Sequence, residues 1–189
     1  MTINHANAQQ WATDYDEKTP QEILALVLDN FDNAAISFSG AEDVVLIDMA
    51  AKLGKPFRVF SLDTGRLHAE TYQFIEKVRN HYKVAIEICF PESAQVQEMV
   101  NAKGLFSFYV DDHKECCTVR KVAPLKKKLA TLDAWVAGQR KDQSPGTRLA
   151  VPVVQADAAF SGAGKQLIKF NPLSNWTSAQ VWDYIRTNE

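Results

Sequence analysis

The chain has 189 residues, with 21 Lys and Arg against 23 Asp and Glu and a formal net charge of −2 at pH 7. That balance excludes a protein held on nucleic acid or on an anionic membrane by bulk charge, so any anionic ligand must be met by a local cluster of bases. With 46% hydrophobic and 23% charged residues, the sequence reads as one soluble α/β domain over residues 1–189, too short for two.

Thr19-Pro20-Gln21-Glu22 opens a helix, with Thr19 as cap, Pro20 in the first turn and Glu22 three residues past the cap. Ile23, Leu24, Val27 and Leu28 then repeat at helical spacing. A buried strand is predicted over Ala34–Phe38, a helix carrying Val44–Ala50, a strand over Phe57–Leu62 and a helix from about Arg66 to Tyr82. Val84–Cys89 reads as a third, buried strand, Ser93 restarts a helix, and a helical stretch runs from about Cys116 to Ala130. Leu132–Ala137 is the next strand. Val151–Val154 and Leu167–Phe170 flank a Gly-rich connection, predicted as a hairpin at the sheet edge. Thr177 and Gln180 cap a last helix, which stops without a following element and suggests a piece of a longer protein. This alternation is that of a doubly wound, mainly parallel sheet. No apolar run reaches membrane-spanning length and the first residues lack the pattern of a signal peptide, which predicts a cytoplasmic protein.

Four segments carry chemistry. Ser37-Phe38-Ser39-Gly40-Ala41-Glu42-Asp43 lies at a strand-to-helix turn, where backbone N–H groups and the helix dipole form an anion seat and Gly40 lets a ligand approach the backbone. The same residues also read as a plain capping box, Ser39 with Glu42. Leu62-Asp63-Thr64-Gly65-Arg66 lies at the next such turn, and Arg66 brings a planar cationic fork to that edge. Gly138–Arg148 is a Gly-, Ser- and Pro-containing loop with Arg140, Lys141 and Arg148, again expected at the carboxyl edge of the sheet.

Cys116 and Cys117 are adjacent, which disfavours a disulfide between them. On a helix Arg120 and Lys121 follow them by four residues each, and neighbouring positive charge favours the metal-ligating thiolate. The third cysteine, Cys89, is expected in a strand interior with a structural role. Ser161–Lys165 departs from a phosphate loop, because Ala159 and Gln166 stand where Gly and Ser or Thr belong. His5, His68, His81 and His113 show no metal-ligand spacing, and Lys126-Lys127-Lys128 reads as a solvated helix face.

SFSGAED, LDTGR followed by His68, Glu70, Thr71 and Tyr72, CCTVRKVAPL, GQRKDQSPGTR and FNPLSNWT occur in order. Together they resemble the assimilatory sulfonucleotide reductases of the PP-loop (adenine nucleotide α-hydrolase-like) group. The cysteine pair resembles the branch that carries a [4Fe-4S] cluster and reduces adenosine 5′-phosphosulfate (APS). The resemblance implies that Ser37, Ser39 and Gly40 line the nucleotide's turn and that Leu62 and Gly65 offer backbone to the adenosine, with Arg66 nearby. It further implies that Lys121, Arg140 and Arg148 face the phosphate and sulfate, that Lys121 couples cluster to substrate, and that Cys116 and Cys117 ligate the cluster. A cysteine nucleophile, an S-sulfocysteine intermediate and thioredoxin as reductant are implied as well, and a homo-oligomer is admitted. No cysteine follows Cys117. The nucleophile and two cluster ligands are therefore expected beyond Glu189, and residues 1–189 are expected to bind APS without turning it over. The alternatives are a reductase of the 3′-phosphorylated nucleotide, a PP-loop adenylyl-transfer or ATP-pyrophosphatase enzyme, and a non-catalytic nucleotide-binding iron–sulfur module.

Overall fold

The computed structural model describes residues 5–110, 113–143, 150–162 and 166–188. Helices α1 (His5–Asp14) and α2 (Pro20–Asn30) precede strand β1 (Ala34–Ser37), helix α3 (Val44–Lys52), strand β2 (Val59–Leu62) and helix α4 (Ala69–Tyr82). Strand β3 (Ile86–Cys89) leads to α5 (Ser93–Lys103), α6 (Ser107–Val110) and α7 (Lys114–Cys117). Beyond the π-helical turn Thr118–Val122 come α8 (Ala123–Leu129), β4 (Ala134–Val136), β5 (Val154–Ala156), β6 (Ile168–Phe170) and α9 (Ser178–Thr187).

The six strands form one sheet in the order β3-β2-β1-β4-β6-β5. All neighbours pair in parallel except β5, which runs antiparallel to β6 at the edge. This is the doubly wound sheet the alternation predicted. The side-chain period of two sorts each strand between two layers. Ala34, Ile36, Val59, Val136 and Phe170 pack with α2, α3, α4 and α9 on one face, whereas Ala35, Phe60, Trp135 and Leu167 pack with Leu125 and Leu129 of α8 on the other.

Local chemistry sets the ends of the helices. The Thr19 hydroxyl oxygen accepts the Glu22 N–H, and the Glu22 carboxylate accepts the Thr19 N–H at 2.8 Å, closing a capping box that seats Ile23, Leu24 and Val27 in the core. Thr177 and Gln180 do the same for α9. That helix is clasped to α3: Tyr184 donates to buried Asp48 at 2.6 Å, and the Lys52 ammonium donates to Asn188 at 2.6 Å. Tyr82 donates to the other Asp48 oxygen at 3.2 Å, and burial together with that carboxylate pushes the Tyr82 phenol up to about 12.

Several expectations are corrected. The helix after β2 begins at Ala69, because Thr64-Gly65-Arg66 is used in a turn. β5 starts only at Val154, beyond the proline at 152 that cannot donate to a ladder. Cys89 ends an edge strand rather than an inner one and is half-buried, with burial and Glu87 pushing its thiol pKa up. Lys128 is not solvated: its ammonium pairs with Glu87 at 2.6 Å and lies over the Phe60 ring at 5.9 Å, the side chain being 9% exposed.

Candidate functional site

The turn after β1 is built around one buried carboxylate. Asp43 Oδ2 accepts the Ser39 N–H at 2.8 Å, the Ser39 hydroxyl at 2.7 Å and the Gly40 N–H at 3.0 Å. The donors expected to seat an external anion are thus taken by the chain itself, which corrects the reading of this turn as an anion seat and of Ser39 with Glu42 as a capping box. Burial raises the Asp43 pKa, with neighbouring Glu42 adding to the shift and the three hydrogen bonds opposing it. A carboxyl raised in the folded state above its ordinary value near 3.8 binds its proton more tightly folded than unfolded, so it costs stability at neutral pH and returns it as pH falls through the folded-state value. Wild type is therefore expected to gain on Asp43→Asn as pH is lowered from 7 toward 4. Chemical denaturation of both proteins across that range checks the sign; parallel curves would contradict it.

Gly40 is extended (φ −157°), and a Cβ there would meet nothing within 4 Å. It opens onto a cavity of about 420 Å³ lined by Ser39, Gly40, Leu62, Leu67, Glu70 and Phe74, among others. Ser37 remains half-buried in β1 and is not part of that lining.

The turn after β2 is organised by Asp63. Its Oδ1 accepts the Gly65 N–H at 2.7 Å, and both its oxygens lie 2.9 Å from the Tyr72 hydroxyl, which donates to it. Gly65 adopts φ +69°, a left-handed conformation that favours glycine, and a Cβ there would press on Arg120 Nη1 at 3.1 Å. Arg66 donates to the Leu105 carbonyl at 2.7 Å and lies 6.0 Å over the Phe106 ring, tying this turn to the segment before α6.

Beyond that turn lies a second cavity, of about 220 Å³, lined by Thr64, Arg66, Phe108, Tyr109, Cys116, Cys117, Arg120 and Lys121. The thiols are half-buried and unbridged. Thiols and bases therefore line one cavity, although Arg120 and Lys121 lie in the π turn that follows the cysteines rather than on a regular helix. Arg120, which the spacing placed beside Cys116 but to which no separate role was given, is buried, donates to the Thr64 carbonyl at 2.7 Å and leaves Nε without a partner. Among the described residues neither Arg120 nor Lys121 has a carboxylate partner.

Arg140 is placed differently from expectation. It is 3% exposed and held by Glu42 at 2.9 Å and Asp142 at 3.0 Å, so its fork is filled by the chain's own carboxylates. Arg148 lies outside the described residues, as do Ser144–Thr147 and Ala163–Lys165. Gly138, at the end of β4, was not singled out: a Cβ there would fall 1.9 Å from Asp43 Oδ1. The signal was a glycine directly after a buried strand, but the carboxylate it makes room for comes from a segment 95 positions earlier, by the subtraction 138 − 43.

Comparison with known proteins identifies the family. Residues 33–189 match the model of the phosphoadenosine phosphosulfate reductase domain. The chain is 56% identical over 179 residues to the adenosine 5′-phosphosulfate reductase of Pseudomonas aeruginosa (strain LESB58), covering 94% of this chain and 67% of that protein. It is 52% identical over 183 residues to the chloroplastic 5′-adenylylsulfate reductase 1 of Arabidopsis thaliana, covering 95% of this chain and 39% of that protein. It thus spans about two thirds of the bacterial relative and about two fifths of the plant one. The phosphate complex of phosphoadenylyl-sulfate (PAPS) reductase from Candida auris superposes with a TM-score of 0.79 at 26% identity, covering 100% of this chain and 88% of that one. FMN adenylyltransferase of Candida glabrata, at TM-score 0.57 and 15% identity over 98% of this chain and 58% of that one, shares the fold. With its motifs gathered at one edge of a doubly wound sheet and its sequence matched over most of its length, the chain belongs to the phosphoadenosine phosphosulfate reductase family.

Proposed function

We propose that this chain carries the substrate-binding part of a reductase that converts APS to sulfite and AMP in sulfate assimilation. The observation that carries this reading is the shared wall of the two cavities. Leu62 and Leu67 of the β2–α4 turn face the larger, mostly apolar one, and Thr64 and Arg66 of the same turn face the smaller one with the thiols, Arg120 and Lys121. A ligand with a flat nucleoside at one end and a phosphate–sulfate anhydride at the other matches that polarity. The anionic end belongs beside Arg66, Arg120 and Lys121, because the β1 turn already holds buried Asp43 and half-buried Glu42. Among the described residues Glu70 is the single charged one lining the larger cavity and no base lines it, which favours APS over a nucleotide with a 3′-phosphate.

In the reaction so read, a cysteine thiolate attacks the sulfate sulfur, the sulfur–oxygen bond to AMP breaks, and an S-sulfocysteine forms. A dithiol of the thioredoxin type then reduces that bond, releasing sulfite and becoming a disulfide. The bases hold the two anionic groups while the thiolate approaches, charge stabilisation being most effective when donors are preoriented. The nucleophile is assigned to a part of the protein outside residues 1–189. Cys89 does not suit the task, since burial and Glu87 keep its thiol protonated.

Cys116 and Cys117 suit a [4Fe-4S] cluster as half of its donor set: adjacent unbridged thiols at a cavity beside cationic groups, where a cubane takes about four thiolates. Among the described residues no group of three or more His, Cys, Asp or Glu could hold a metal ion; the remaining ligands are assigned, like the nucleophile, to sequence beyond residue 189. When bound, the cluster supplies a thiolate-ligated, net-negative centre, and Lys121 is the exposed base next to it and to the substrate's sulfonyl group.

Calorimetry on residues 1–189 tests this. AMP and APS are expected to bind, and Lys121→Ala to weaken APS about tenfold or more while leaving AMP nearly unchanged, the loss of one charge-assisted contact. Equal losses for both ligands would remove Lys121 from the sulfate end. Sulfite release by residues 1–189 with thioredoxin would overturn the assignment of the nucleophile.

A further inference from the structure

The sequence pointed to Arg140 as a base for the substrate, yet its guanidinium is one of the most deeply enclosed charges among the described residues and both of its engaged edges meet carboxylates. Those carboxylates belong to different segments. Glu42 sits in the 3-10 turn Ala41–Asp43 that closes the nucleotide turn, and Asp142 sits in the short turn Lys141–Gln143 after β4. Each carboxylate spends its second oxygen on the first residue of α9: Ser178 Oγ donates to Glu42 Oε1 at 3.1 Å, and the Ser178 N–H donates to Asp142 Oδ2 at 2.5 Å. Arg140 and Ser178 are thus the two ends of a closed ring of four residues. The ring joins the β1 turn, the β4 loop and the start of the last helix. Lys141 reinforces it, its N–H donating to the Ser174 carbonyl at 3.0 Å and its ammonium to Asn175 at 2.6 Å.

We propose that Arg140 is a positioning residue that couples occupancy of the nucleotide cavity to the seating of helix α9. The coupling rests on the reading of the larger cavity as a nucleotide site. A ligand against Ser39, Gly40 and Ala41 touches the turn that carries Glu42, and Glu42 holds both Arg140 and Ser178. Because α9 is also fixed to α3 through Tyr184–Asp48 and Asn188–Lys52, it moves as one piece with the helix that leaves that turn. A buried bidentate arginine suits such a link, since its fork fixes two carboxylates in direction as well as distance. By linkage, whatever tightens α9 when a nucleotide binds must tighten nucleotide binding when α9 is seated, by the same factor.

Amide hydrogen exchange of residues 1–189, with and without saturating AMP, provides the test. In wild type, AMP is expected to slow exchange in Ser178–Thr187 by about fivefold or more, the lower end of ordinary coupling between sites, in addition to protecting the first turn of α4 at the cavity. Ser178→Ala cuts the Glu42 contact and is expected to reduce the effect on α9. Ser178→Ala combined with Asp142→Asn is expected to abolish it and to weaken AMP by the same factor in calorimetry, while AMP still protects α4. A merely structural role would lower the melting temperature of the variants yet leave the AMP-dependent difference in α9 intact, and that result overturns the proposal. Protection of α4 without any change in α9 of wild type overturns it too. Failure of AMP to bind wild type at all would instead remove the nucleotide site, and the coupling with it.

Discussion

Gly138→Ala is expected to destabilise the protein by about 3 kcal/mol or more, a drop of roughly 6–12 °C in melting temperature for a chain of this size. The added methyl would sit 1.9 Å from Asp43 Oδ1, a distance that no Cβ tolerates, and tightly at 3.1 Å from its Cγ. Relief by moving the carboxylate is costly, because its other oxygen is held by three donors that would lose a charged partner in a buried place. Relief by moving the backbone would pull β4 from its parallel pairing with β1, where Ala134, Ala35 and their neighbours are fully packed. Gly40→Ala is the matched control. Its Cβ enters open space from an extended backbone, so its melting temperature should stay near wild type while AMP binding falls. Thermal unfolding and calorimetry of the two variants separate a glycine kept for packing from one kept for the ligand; equal melting temperatures would contradict the first.

Arg140→Met is expected to cost about 3–5 kcal/mol, the range found when one member of a buried ionic cluster is removed. What makes it expensive is what remains: Glu42 and Asp142, 27% and 32% exposed, face each other across the vacated place with buried Asp43 beside them. Adding Glu42→Gln to Arg140→Met should restore part of the loss, giving a double-variant cost well below the sum of the singles. Denaturant unfolding of the single and double variants reads the effect. Strict additivity would show that the cluster is not energetically coupled.

The fold was legible because its signals are local. The Thr19 and Thr177 capping boxes, the unbroken apolar runs of β1 and β4, and the glycine turns after β1 and β2 each follow from a few neighbouring residues. The turns after β1 and β2 were expected at the carboxyl edge and lie there, and Cys116, Cys117, Arg66 and Lys121 share a cavity. Part of what was misjudged depends on a partner distant in sequence: nothing near Arg140 announces Glu42, 98 positions away. The other part was local, since Asp43 lies four residues from Ser39 and which carboxylate of the pair Glu42 and Asp43 turns back to take its N–H is decided by the turn's geometry. Basic and hydroxyl groups in such turns read as ligand contacts until the fold supplies competitors for them. Cys89 was misplaced for a related reason: strand composition gives burial on both faces, but position at the edge of the sheet is a property of topology.

The π turn at Thr118–Val122 has a consequence for how this edge tolerates change. A helix widened by one extra backbone unit holds everything upstream at a rotated phase, about 100° for each residue in an ordinary helix. Orientation of the paired sulfurs relative to the lysine-rich segment that follows is therefore governed by counting, not by the identity of the side chains inside the bulge. Substitutions within it leave that phase unchanged, whatever they do to the bases Arg120 and Lys121 that the turn carries, whereas a single deletion would swing both sulfurs off the cleft in one step.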